Sequence, residues 1–112
     1  MAKGQFLGEF EQVVLLAVKR LEDEGYGMTI RREIEDRTVR EVSIGAVYST
    51  LDRLEKKGLV RSWTSEPEAK RGGRARRHFA IEAAGSAALD HSRAMLESMR
   101  DGLAHAGDGK SR

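Results

Sequence analysis

The chain has no cysteine among its 112 residues, one proline, one tryptophan and only 5% aromatic residues. Without thiols there is no disulfide, no thiolate nucleophile and no cysteine-based zinc site. The few large aromatics, Tyr26, Tyr48, Trp63 and Phe79, are spread along the chain rather than gathered on one segment. A base-stacking sheet of the RNA-binding kind needs them together, so core packing is the expectation for Tyr26, Trp63 and Phe79. No apolar run approaches the eighteen or so residues that a membrane helix requires, and the opening MAKGQFLGEF has no signal-peptide core. A cytoplasmic protein is expected. His78, His91 and His105 stand apart, with no H-E-x-x-H spacing, and Gly72 and Gly73 lack the Lys-Ser/Thr that follows in a phosphate-binding loop. No catalytic constellation, metal site or cofactor is therefore expected, and the chain does not read as an enzyme.

What is present is a polar globular composition, 39% hydrophobic and 34% charged, in a length that suits one domain. The net charge is only +2, but it is unevenly placed. From Arg53 to Arg77 nine Lys/Arg face three acids, a net of +6, so the remainder carries −4. Such asymmetry within one small domain is the footprint of a polyanionic partner.

Three helical patterns come first. In residues 8 to 22, Phe10, Val13, Val14, Ala17 and Leu21 recur at helical spacing, with Leu16 widening the buried stripe. EDEGYG ends that helix. A second spans about 27 to 38, with Met28, Ile30 and Ile34 turned inward and Arg31, Arg32, Glu33, Glu35 and Asp36 outside. The third lies in SIGAVYSTLDRLEKKGLVRS, residues 43 to 62, where Ile44, Val47, Tyr48, Leu51 and Leu54 form one stripe. Ser43 suits the N-cap and Gly58 the left-handed C-terminal closure. The opposite face is small at first, with Ser43, Gly45, Ala46 and Ser49, and then basic, with Arg53, Lys56 and Lys57. A helix stripped of bulk at its start can enter a major groove closely while the cations behind it meet phosphate. A solvated face of small residues is the competing account of the same pattern.

After Gly58 the period changes. LVRSWTS and RRHFAIE read as strands, and EPEAKRGGRA between them reads as a basic hairpin loop. From about Ala83 to Leu103 a last helix carries Leu89, Ser92, Leu96, Met99 and Leu103 at alternating spacings of three and four, a narrow seam suited to pairing with a second subunit. The expected fold is mainly α with a small β-hairpin: a winged helix-turn-helix domain over residues 1–82 and a C-terminal dimerisation helix over 83–103. Residues 104–112 are expected to be a disordered tail.

Four blocks in this order, LGEFEQVVLLAV, YGMTIRREIEDRT, SIGAVYSTLDRLEKKGLV and RGGRARRHFAIEAAG, resemble the PadR family of transcriptional regulators in its short form with one C-terminal helix. The resemblance implies homodimerisation through the first helix, here Phe10 and Val14, and the last. It implies repression from a palindromic operator in double-stranded DNA and release by a small aromatic or amphipathic effector. Carried onto this sequence, Ser43, Gly45, Ala46, Tyr48 and Ser49 would enter the major groove, with Arg53 and Lys56 behind them. Arg71, Gly72, Gly73 and Arg74 would form the wing tip on phosphate or minor groove. Two positions depart from relatives: Glu82 stands where many have a Thr or Ser cap, and the last helix has no tryptophan to stack a flat ligand. The alternative from another class is a winged-helix protein-interaction module without specific DNA binding, which would not need the +6 segment.

Overall fold

The first apolar stripe does form a helix, but it is turned from the expected face. In a computed structural model of the chain, which describes residues 6–65 and 75–103, α1 spans Glu9–Leu21. Its buried side is Val14, Leu15 and Val18, with Ala17 beside them and Glu11 continuing the same face toward the N-terminus. Leu16, expected in the stripe, is 48% exposed. The face is decided by what packs on it, since α2, α3 and the second strand all converge on the Val14–Val18 side. A short 3₁₀ turn, Glu22–Glu24, follows at Glu22, which takes a φ of 55°, the only positive φ outside glycine among the described residues.

α2 covers Gly27–Arg37. Thr29 organises its start, accepting from the Tyr26 N–H at 2.9 Å and donating to the Glu24 carbonyl at 2.8 Å. Ile30 and Ile34 point into the core as expected, but Met28 is exposed. α3 covers Ile44–Lys56, and the Ser43 hydroxyl accepts from the Ala46 N–H at 3.0 Å, the N-cap that the sequence indicated. Val47, Leu51 and Leu54 are fully buried. Gly58 closes the helix at φ 78°, its N–H donating to the Glu55 carbonyl while the Leu59 N–H donates to that of Leu54.

Two antiparallel strands follow, β1 at Val60–Thr64 and β2 at Arg77–Ile81, paired from Val60 opposite Ile81 to Thr64 opposite Arg77. Phe79 is fully buried. Its partner Ser62 shares that face, so period-two alternation sends Trp63 to the other side. Trp63 is thus a surface residue, 38% exposed and stacked on its cross-strand partner His78, not the core residue expected. Tyr26 adds a bridge to His78, and the Phe79 N–H donates to the Gly25 carbonyl, which fastens the hairpin to the turn before α2. Three helices and a hairpin in this order make a winged helix-turn-helix arrangement.

α4 runs Ala83–Arg100, shorter at its end than the expected 103. Glu82 makes no side-chain cap. Its carbonyl accepts from Gly85 and Ser86, and its own N–H donates to the Leu59 carbonyl. The helix divides in two. Leu89 and Ser92, together with Val14 of α1, were expected at a subunit interface, but their own chain already buries them. Beyond Ser92, Met95, Leu96, Met99 and Leu103 are exposed, Met99 by 74%. Phe10 is half-buried, packed on the core under the guanidinium of Arg40 at 5.3 Å.

Candidate nucleic-acid interface

α3 is held on three sides before it presents anything outward. Its apolar stripe lies on the core, and the Tyr48 ring crosses to the start of α2, where a Cβ on residue 27 would stand 2.4 Å from the ring. Only glycine at position 27 allows that approach. The third support is ionic. Glu11, 7% exposed on α1, accepts from Lys57 Nζ at 3.0 Å, from Arg53 Nε at 3.4 Å and from the Gly8 N–H at 2.8 Å. Burial alone would raise the Glu11 pKa, but these hydrogen bonds and the Lys57 charge outweigh it and hold the carboxyl below its ordinary value.

The outward face is then small and open. Gly45 is exposed, with no atom within 4 Å of where its Cβ would be. Ala46 is half-buried and Ser49 exposed. Ser43 is exposed too, although its hydroxyl is engaged in the cap. Tyr48 is half-buried and does two things, bracing α2 and bordering the open face. The expected residues Ser43, Gly45, Ala46, Tyr48 and Ser49 are thus brought together on the leading turns of one rigid helix.

The charge map changes more. Of the nine cations between positions 53 and 77, Arg53 and Lys57 are engaged by Glu11, and Arg77 by Glu55 at 2.6 Å and Asp52 at 3.3 Å. Arg53, expected to meet phosphate, also bonds Thr50, although about half of its side chain stays open. Lys56 and Arg76 have no acidic partner among the described residues. Arg71, Gly72, Gly73 and Arg74 lie outside the described residues. One cation escaped the sequence reading: Arg32, on the solvent side of α2, is exposed and likewise free of an acid among the described residues. It was hidden among alternating charges that read as an ordinary solvated face. Glu11 was missed as well, although an acid three and four positions before Val14 and Leu15 on a buried stripe was a legible sign of a partner.

The sequence profile described as the Transcriptional regulator PadR-like family matches residues 14–91. The chain belongs to the PadR-like family. Among solved structures, RosR from H. salinarum is 28% identical with a TM-score of 0.64, over 88% of this chain and 81% of that one. A PadR-like transcription factor from Bacteroides fragilis shares the fold at a TM-score of 0.71 and 18% identity, over 82% and 84%. A PadR family regulator from Clostridium difficile does so at 0.66 and 22%, over 81% and 91%. No curated protein matches the chain. No helix among the described residues is long and apolar enough to cross a membrane. As a PadR-like protein the chain has a transcription regulator's fold.

Proposed function

We propose that this PadR-like protein is a cytoplasmic, homodimeric, sequence-specific DNA-binding repressor released by a small amphipathic effector, with no catalytic activity and no cofactor. One observation carries the DNA reading: the leading turns of α3 are at once braced from behind and empty in front, with open space at Gly45. A solvated helix has no use for both properties, whereas a helix entering a major groove needs them together. Residues 1–82 serve as the reading head and α4 as the dimerisation helix.

Pairing through α4 is supported by Leu96, Met99 and, just past its end, Leu103, which leave their apolar surface in water, with the exposed Leu16 of α1 beside Leu96. A two-fold dimer would set two α3 helices about one turn of DNA apart, roughly 34 Å, and call for a palindromic operator. Between α1 and α4 lies a cleft lined by Leu16, Leu89 and Leu96, with Lys19 and Arg100 on its rim beside Arg93, which pairs with Asp90 and Glu97. Apolar walls with a charged rim suit an amphipathic molecule. A ligand preferring one spacing of the heads would shift the population from the DNA-competent form.

The test is selection of bound sequences from a random duplex pool by the purified chain, followed by titration against salt. The expected result is a palindrome with half-sites about one helical turn apart and a log K that falls linearly with log salt. A flat salt dependence with no enriched sequence would overturn the reading.

A further inference from the structure

Beside the open face of α3 is a cleft of about 390 Å³, walled by Tyr26, Met28, Arg32, Tyr48, Arg76 and Arg77. Its three arginines differ in what they can offer. The Arg77 guanidinium is held by Glu55, Asp52 and the Ser62 hydroxyl and lies 4.8 Å from the Phe79 ring centre, so its charge is answered within the chain. Arg32 and Arg76 have no acidic partner among the described residues.

Arg76 is also placed with some care. Its guanidinium sits 4.4 Å over the Tyr26 ring. Tyr26 meets His78 edge-on at 5.6 Å, and His78 stacks on Trp63 at 5.5 Å, which Arg61 covers from outside. An unbroken column of side chains thus supports Arg76 from across the outer face of the hairpin. Stacking of this kind fixes a guanidinium plane while leaving its N–H edge free to donate. The phenol hydroxyls of Tyr26 and Tyr48 make no hydrogen bond among the described residues, so the same cleft holds two further donors.

Two cations with no acidic partner among the described residues and two hydroxyl donors, with the neighbouring Asp52 and Glu55 engaged by Arg77, form a receptor for a small oxyanion such as a phosphodiester. Position favours one source of it. Tyr48 lies between the cleft and the face carrying Gly45 and Ser49, and in helix-turn-helix docking the helix preceding the recognition helix crosses the DNA backbone. Arg32 is on that preceding helix. We propose that the cleft seats one backbone phosphate of the bound duplex, with Arg32 and Arg76 as its cations and the Tyr48 hydroxyl as donor. This rests on the DNA-binding reading above. The phosphate contact would fix the register of α3 without reading any base.

The experiment measures binding of the parent, Arg32→Ala and Arg76→Ala to the selected duplex and to a random-sequence duplex across a salt series. It is repeated with single neutral methylphosphonates moved along the selected duplex. Both residues are exposed, so each variant should keep the parent's melting temperature. Each should lose affinity roughly tenfold on both duplexes and lower the salt slope by about one. At one methylphosphonate position, parent and Arg32→Ala should bind equally.

If the parent binds with a steep salt slope and both variants match it, the phosphate seat is overturned while the DNA reading stands. A parent with no salt-dependent binding removes both. A loss that persists at every methylphosphonate position means that the arginines act elsewhere, which also overturns the seat. Titration with inorganic phosphate alone separates the other source: shifts in the Arg32 and Arg76 guanidinium signals, with DNA affinity unchanged in the variants, would assign the cleft to a free anion.

Discussion

The leading turns of α3 and the trailing turns of α4 are both open to water, and they are opposite in kind. The first presents Gly45 and Ser49, which lose almost nothing by exposure, on a helix fastened from behind by a packed stripe, a tyrosine and a buried carboxylate. The second presents Met95, Leu96 and Met99, with Leu103 just past the helix end, all costly to leave in water. A surface made small and rigid is made to be approached, and a surface made large and apolar is made to be covered. Exposure alone does not distinguish them, but the chemistry of what is exposed and the stiffness beneath it do.

The strongest way to break this comparison is to add bulk where approach is required. Gly45→Leu fills open space, so the fold should survive with an unchanged circular dichroism spectrum. Affinity for the selected operator should fall to that for random DNA, a loss of about 10³-fold or more. Unchanged operator affinity in a gel-shift titration would mean that the leading face of α3 is not the reading face. Next in size is the converse change at the other surface. Leu96→Glu with Met99→Glu should give a monomer by sedimentation equilibrium and cost roughly 10²-fold in operator affinity, because one head no longer raises the local concentration of the other. A double variant that remains dimeric would remove α4 from the interface.

A smaller effect sharpens the rigid side. Glu11→Gln should destabilise the fold by about 1 kcal/mol, modest because Arg53 is half exposed and Lys57 partly so. Affinity for random DNA should rise a few-fold as Arg53 and Lys57 become free for phosphate. Equal or weaker binding would show that the two cations do not reach the backbone. The smallest effect is in pH. The carboxyls of Glu11 and Glu33 are both held below their ordinary value, Glu33 first by its bond to Arg37, with some opposition from burial, and then by Arg20. A depressed folded pKa gives stability that is present above the unfolded carboxylate pKa and lost as pH falls through the folded one. Thermal melts should therefore drop through the acid range, and less steeply in Glu11→Gln than in the parent.

Local signals were the legible ones. Ser43 and Gly58 bound α3 where a cap and a left-handed closure were expected, and LVRSWTS and RRHFAIE hold the two strands. Facing was harder. Val13, Val14, Leu15, Leu16, Ala17 and Val18 are an unbroken apolar run, so periodicity cannot say which stripe turns inward, and Leu15 rather than Leu16 is buried. Trp63 was expected in the core because the aromatics are scattered, but its face follows from strand register. Glu11 and Lys57 are 46 residues apart and meet only through the packing of α1 on α3, which is why a basic segment looked freer than it is. Arg32 and Arg76 come from different elements, and the fold alone makes them neighbours.

The ion pairs of α1 have one further consequence. Glu9 meets Arg40, just ahead of α3, and Glu11 meets Lys57, just past its end. The exposed first pair is weak taken singly, yet the two lie on one turn of α1 and clasp α3 fore and aft. Held near each end by the same short stretch, α3 is coupled in its tilt to α1. Any signal received at the α4 side of α1 would then reach DNA as a change of pitch between whole heads, and local loosening of the recognition helix would have no part in it.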